Sequence, residues 1–206
     1  MIIAIDGTSG SGKGAIASQL AKILDYNYLN TGLLYRKIAY LLKKNGLVYS
    51  SNIAITHFLK NIVIANEKID ENILQSEEIG QLTSIIATNG YIRSIMTDIQ
   101  RNLVIKNNKI IPTIVDGRDA GSVVFKDDAT HKFFISTYLH TRAIRRFKQF
   151  NCKISYQRIY NSLLKRDIRD KNRKIAPLVL TKNTIVINNN RTLDFTINNI
   201  LFIING

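Results

Sequence analysis

Residues Gly7 to Ala15 read GTSGSGKGA: four glycines, two serines and a lysine in nine positions, directly behind the apolar run MIIAID. A short β-branched run closed by glycine fits a buried parallel strand. After it Ile16, Ala17, Leu20, Ala21, Ile23 and Leu24 recur at helical spacing, which places a helix over about 13–25. A strand-to-helix turn needs neither a lysine nor three further glycines for packing. Gly7, Gly12 and Lys13 match the spacing of a phosphate-binding loop, in which backbone N–H groups turn inward around phosphate oxygens and the helix N-terminus adds partial positive charge. Gly7, Thr8, Ser9, Gly10, Ser11, Gly12, Lys13, Gly14 and Ala15 are therefore candidate ATP-binding residues, with Lys13 reaching the β and γ phosphates. Gly14 stands where such loops usually carry a serine or threonine that holds Mg²⁺.

The rest of the chain supports a strand-and-helix alternation. NYLN (27–30), IIPTIVDG ending at Gly117, HKFFIS (131–136) and TIVIN (184–188) read as strands. Helices are predicted behind NYLN with Leu34, Ile38, Leu41 and Leu42 on one face, in pieces over 82–103, over about 139–150 and 155–170, and in the closing LDFTINNILFII. This pattern predicts a three-layer α/β fold with a parallel central sheet. The mixed polar stretch from about 46 to 88 breaks the alternation and reads as an inserted cap. With 206 residues and 45% hydrophobic content, the chain suits one domain, 1–206, comprising a cap over about 31–93 and a short basic lid over about 140–165. No apolar run approaches the roughly 20 residues that span a bilayer, no leader pattern is present, and Cys152 is the sole cysteine, so a cytoplasmic protein is expected.

The net charge of +14 points to anionic partners. Between Arg142 and Arg173 lie eleven Lys or Arg against Asp167 and Asp170 alone. Thr31, Tyr35 and Arg36, at i, i+4 and i+5 near one helix end, can converge on a small anion, although Thr31 could equally cap its helix and spacing alone leaves Tyr35 open between core and ligand. Arg118 and Asp119 follow a strand terminus, where α/β folds collect ligands. Arg166, Asp170 and Arg173 share a helix face, although Arg166 with Asp170 could be an ordinary surface ion pair; Arg142, Arg145, Arg146 and Gln149 form a second stripe, the candidate lid. His57, His131 and His140 show no nucleophile or metal spacing, and no guanine-reading Asn-Lys-x-Asp appears.

NTGLLYR (30–36), VDGRDAGSVVF (115–125), RDIRDKNRKIAPL (166–178) and Gly-Lys-Gly in place of Gly-Lys-Ser together resemble the bacterial cytidylate kinase family over essentially the whole chain, in the family's order. The resemblance implies transfer of the γ-phosphoryl group of ATP to CMP or dCMP, with Mg²⁺ accompanying the ATP; nothing in the sequence demands a partner chain, so a monomer is expected, with no nucleic-acid or membrane partner. It implies that Thr31, Arg36 and Arg118 grip the acceptor phosphate with Arg173 nearby. Tyr35, Arg166 and Asp170 would contact the sugar, and Ser84, Arg93 and Asp119 would read cytosine. Lys13, Arg145 and Arg146 are then the catalytic candidates, no direct protein ligand for a metal is expected, and Ser11 or Asp116 would reach Mg²⁺ at most through water. Ala15, Thr8 and the absence of an arginine near Gln75 and Ser76 depart from the family pattern. The competing expectations are a kinase for UMP or AMP, and a basic nucleic-acid-binding protein using the segment 142–173.

Overall fold

The structure is a computed structural model and describes residues 1–48, 50–61, 69–106 and 109–205. The chain divides into two compact units, Met1–Asn30 with Val104–Gly206, and Thr31–Leu103.

The first unit is built on β1 (Ile2–Gly7), α1 (Lys13–Leu24) and β2 (Asn27–Asn30). After the second unit it continues with the two-residue hairpin strands β3 (Ile105–Lys106) and β4 (Lys109–Ile110), then β5 (Thr113–Gly117), β6 (His131–Ser136) and β7 (Ile185–Asn188). Five strands form one sheet in the order β2-β5-β1-β6-β7, every pairing parallel. Alternation along β1 serves both faces. Ile3 and Ile5 join Ile114, Phe133, Ile135 and Ile187 under α1 and the closing helix, which supply Ile16, Leu20, Ile197 and Ile200. Ile2 and Ala4 pack with Val115, Val104, Ala120, Val124 and Phe125 on the opposite face. The sheet is thus an α/β parallel sheet covered on both sides, as the apolar runs predict.

Two differences from the sequence reading have physical causes. β5 begins at Thr113 rather than within the preceding apolar residues. Pro112 has no N–H to give a ladder, and its carbonyl instead accepts from Asn27 N at 2.9 Å. The hairpin β3–β4 is antiparallel and only two residues deep, too short to leave a periodic signal.

Behind β5 a single π-helical turn, Ala120–Val124, replaces a regular helix start. The two basic helices are observed over Leu139–Gln149 and Tyr156–Asn172, and the closing helix over Leu193–Asn205. The basic pair has its own apolar contact of Ala143, Ile159 and Leu163.

The second unit is helical in its described residues: α2 (Thr31–Lys44), α3 (Asn52–Asn61), α4 (Glu71–Gln75), α5 (Glu77–Ile86) and α6 (Gly90–Val104), the last crossing into the first unit at Val104. The basic helices are accordingly α7 and α8, and the closing helix α9. Ile38, Ala39, Leu42, Ile55, Leu59, Ile79, Ile92 and Met96 form the unit's core. The polar stretch read as a cap gives α3, α4 and α5; its residues 49 and 62–68 lie outside the described residues. Asp70 and Ser76 start α4 and α5 as side-chain caps, accepting from Asn72 N and Ile79 N.

Candidate active site

The loop between β1 and α1 turns on two left-handed glycines, Gly10 at φ 74° and Gly12 at φ 88°. Space as well as conformation requires them. A Cβ at Gly12 would lie 2.5 Å from Asn189 Nδ2, and one at Gly7 would lie 2.7 Å from the backbone oxygen of Ile135. The loop is anchored from outside: Ser11 O accepts from Thr137 Oγ1 at 3.0 Å and from Asn189 Nδ2 at 2.8 Å. Asn189 Oδ1 in turn accepts from Thr196 Oγ1 at 2.9 Å, which ties the loop to α9.

Lys13 opens α1, and its ammonium donates to Thr8 O at 3.3 Å. Desolvation, then the positive charge of Arg118, pushes Lys13 down to about 7; Arg166 adds to this, and Asp116 and Asp170 oppose it. Residues from the ends of β1 and β5 and from α8 therefore meet in one electrostatic neighbourhood. Burial holds the Asp116 carboxyl above the usual carboxylate range against the pull of Lys13 and Arg118. Burial would raise Asp170 as well, but Arg118, Arg166 and Arg173 outweigh it and hold Asp170 low.

Arg118 donates through Nε to Asp170 Oδ2 at 3.1 Å, and Arg173 Nη2 lies 3.4 Å from Asp119 Oδ1. Asp119, Arg166, Asp170 and Arg173 are all buried. An ordinary surface pair of Arg166 with Asp170 is thereby replaced by a buried group of charges, expensive to desolvate and held by mutual pairing.

The stripe read as a lid divides in two. Arg142 is buried and spoken for: it donates to Thr137 O, to Ser9 O at 2.9 Å and to Asp167 Oδ2 at 2.6 Å, so it pins the phosphate loop to α7 and α8 rather than standing free as a lid group. Arg145 donates to Asn189 O at 3.0 Å, and its Nη1 would stand 3.7 Å from a Cβ on Gly12, which sets its guanidinium against the loop. Arg146 lies along α7, donating to Gln149 Oε1 and covering the Phe150 ring at 4.4 Å.

In the second unit Thr31 and Tyr35 are buried at the start of α2, and the Arg93 guanidinium stands 6.0 Å from the centre of the Tyr35 ring. Arg93, buried on α6, donates to Ala87 O at 3.3 Å, and Ser84 is buried on α5. Arg36 donates to the carbonyls of Leu74 and Ser76, so the segment around Gln75 and Ser76 is held through its backbone by Arg36.

The donor set fits a cation that arrives already bound to phosphate. At Gly14 a Cβ would lie 3.2 Å from Asp116 Oδ2 and 3.5 Å from the Tyr28 hydroxyl, so these two groups occupy the room a serine side chain would use. The Ser11 hydroxyl is buried with no hydrogen-bond partner among the described residues. Among the described residues no cluster of three or more His, Cys, Asp or Glu could hold a metal by itself.

The sequence reading missed Asp6, Thr137, Asp167 and Asn189. Asp6 alone carried a signal, an acid closing an otherwise apolar strand, whereas Asn189 is hidden within a run of asparagines.

The family model for cytidylate kinase matches residues 3–205. A cytidylate kinase of Ureaplasma urealyticum serovar 10 is 41% identical over 204 residues, covering 93% of this chain and 90% of the relative. One from Buchnera aphidicola subsp. Baizongia pistaciae is 36% identical, covering 90% and 85%. Among solved structures, an uncharacterized protein from Eubacterium ventriosum superposes with a TM-score of 0.54 over 100% of this chain and 98% of its own at 14% identity, a likeness of fold.

Proposed function

The chain belongs to the cytidylate kinase family, and on that premise we propose that it moves the γ-phosphoryl group of ATP onto CMP or dCMP, giving ADP and the cytidine diphosphate. One observation carries the reading at the level of the residues: Lys13 of the phosphate loop sits in the field of Arg118 and Arg166. A site for the donor alone needs no such crowd of cations, whereas a site joining two polyanions does.

The acceptor oxygen belongs to a phosphate whose second pKa is about 6, so it is ionised near neutral pH and needs no general base. Catalysis then consists of alignment and charge stabilisation. We assign the donor phosphates to the amides of residues 7–15 and to Lys13, with Arg145 and Arg146 closing on the moving group. Mg²⁺ accompanying the ATP would be held mainly by phosphate oxygens and water, with Ser11 or Asp116 reaching it at most through water, and would supply neutralisation of charge on the departing diphosphate. Thr31, Arg36 and Arg118, with Arg173 nearby, are assigned to the acceptor phosphate. Tyr35, Arg166 and Asp170 are assigned to the sugar, and Ser84, Arg93 and Asp119 to the base. Asp119 supplies the discrimination we rely on most, because a carboxylate accepts from the exocyclic amino group that cytosine has and uracil lacks. We place the reaction in the cytoplasm with a single chain as the working unit; no helix among the described residues is long and apolar enough to cross a membrane.

The test is a coupled assay of ADP formation with CMP, dCMP, UMP and AMP as acceptors. The cytidine nucleotides are expected to lead, and preference for AMP or UMP would overturn the assignment of the base.

A further inference from the structure

We propose that Asp6 is the positioning residue of the acceptor turn: from the end of β1 its carboxylate holds, through the N–H groups of Ala120 and Gly121, the turn that presents Arg118 and Asp119. The idea rests on the assignment of Arg118 and Asp119 to the acceptor given above.

Asp6 is 6% exposed, one residue before the phosphate loop. Its Oδ1 accepts from Ala120 N at 2.9 Å and its Oδ2 from Gly121 N at 2.8 Å. These are the first two N–H groups of the π-helical turn Ala120–Val124, groups that a helical turn cannot satisfy internally. The residue before them is Asp119, a type that ordinarily supplies such a cap itself, yet its side chain makes no capping bond. Its carboxylate is turned instead toward Arg173, 3.4 Å away. A cap delivered from 114 residues earlier in the chain therefore does the local work at this turn.

The turn is also seated tightly. A Cβ on Gly121 would lie 3.1 Å from Ala4 Cβ and 3.2 Å from Lys132 Cγ. Because Gly7 follows Asp6 directly, the end of β1 locates the donor loop and the acceptor turn together. Burial, reinforced by the charge of Asp119, pushes the Asp6 carboxyl up to about 6, while the two amide bonds and Lys13 pull it down. The group is therefore chiefly a carboxylate at neutral pH, able to accept both bonds.

Asp6→Asn keeps the shape but offers one acceptor oxygen and points an NH₂ at the other backbone N–H. The KM for CMP is expected to rise about tenfold or more while the dissociation constant for ATP stays within about twofold, and amide exchange at Ala120 and Gly121 should accelerate about tenfold or more. Unchanged KM and exchange, or a parallel loss of CMP and ATP affinity, would overturn the proposal. Should that variant fail to fold, Gly121→Ala shifts the same turn from its other flank and must reproduce the selective rise in KM for CMP; a normal KM there counts equally against it. A wild-type protein that binds ATP but phosphorylates no cytidine nucleotide overturns the parent assignment alone, and the exchange rates at Ala120 and Gly121 still decide whether Asp6 holds the turn.

Discussion

Lys13 shows how a single side chain reports on the state of the site. Desolvation and the charges of Arg118 and Arg166 push its ammonium down to about 7, against the pull of Asp116 and Asp170. A triphosphate reverses that balance and restores the charge, so binding takes up a proton. Calorimetry of ATP binding in buffers of different ionisation enthalpy should therefore show uptake of about one proton per ATP at pH 8 to 9, fading as the pH falls through 7, below which Lys13 is already charged before ATP binds. Lys13→Arg carries a permanent charge and should abolish the uptake. At Asp119 the prediction concerns choice of substrate. Asp119→Ala removes the acceptor for the cytosine amino group, and the ratio of kcat/KM for CMP over UMP should drop by about a hundredfold or more. An unchanged ratio would assign base reading to other residues. Gly7→Ala brings a Cβ to 2.7 Å from the backbone oxygen of Ile135, and because that atom belongs to the sheet the loop must move. A displacement approaching 1 Å costs about a hundredfold in kcat, read by initial rates at saturating substrates.

Most elements were legible because strand and helix patterns are local. NYLN and HKFFIS match β2 and β6, and Lys13 opens α1 as the helical spacing predicts. The hairpin β3–β4 and the π-helical turn were not legible, since two-residue strands have no period and the turn is stabilised by Asp6 from a distant strand. Of the candidate site, the strand, glycine turn and helix start around GTSGSGKGA could be read from spacing. Which arginines are structural could not be read. Arg142 and Arg145 fall on one helical stripe, yet Arg142 is consumed by Ser9 O, Thr137 O and Asp167, contacts set by tertiary neighbours rather than by helical position. The pair of Arg142 with Asp167 joins α7 to α8 with side chains only 5% and 10% exposed. Asp167→Asn leaves the guanidinium without its countercharge and should cost about 3 kcal/mol of stability, read from the denaturant midpoint. It should also weaken ATP binding through Ser9; lost stability with unchanged ATP affinity would reduce the pair to packing.

For the whole molecule, the large positive charge finds its explanation inside as well as on the surface. Arg142, Arg166 and Arg173 of the basic segment are buried, which removes these three charges from any surface offered to nucleic acid. The phosphate loop, Arg118 and the α8 charges belong to one compact unit, and Thr31, Tyr35, Arg36, Ser84 and Arg93 to the other. The activity of the family requires that both nucleotides be handled in one reaction. The most direct measurement follows the γ-phosphoryl group itself, using ATP labelled at that position with and without CMP. The label should appear in the β-phosphate of CDP, only when CMP is present, with almost none as inorganic phosphate, and Lys13→Ala should abolish the transfer. Release of the label as free phosphate at the same rate with or without CMP would contradict the account.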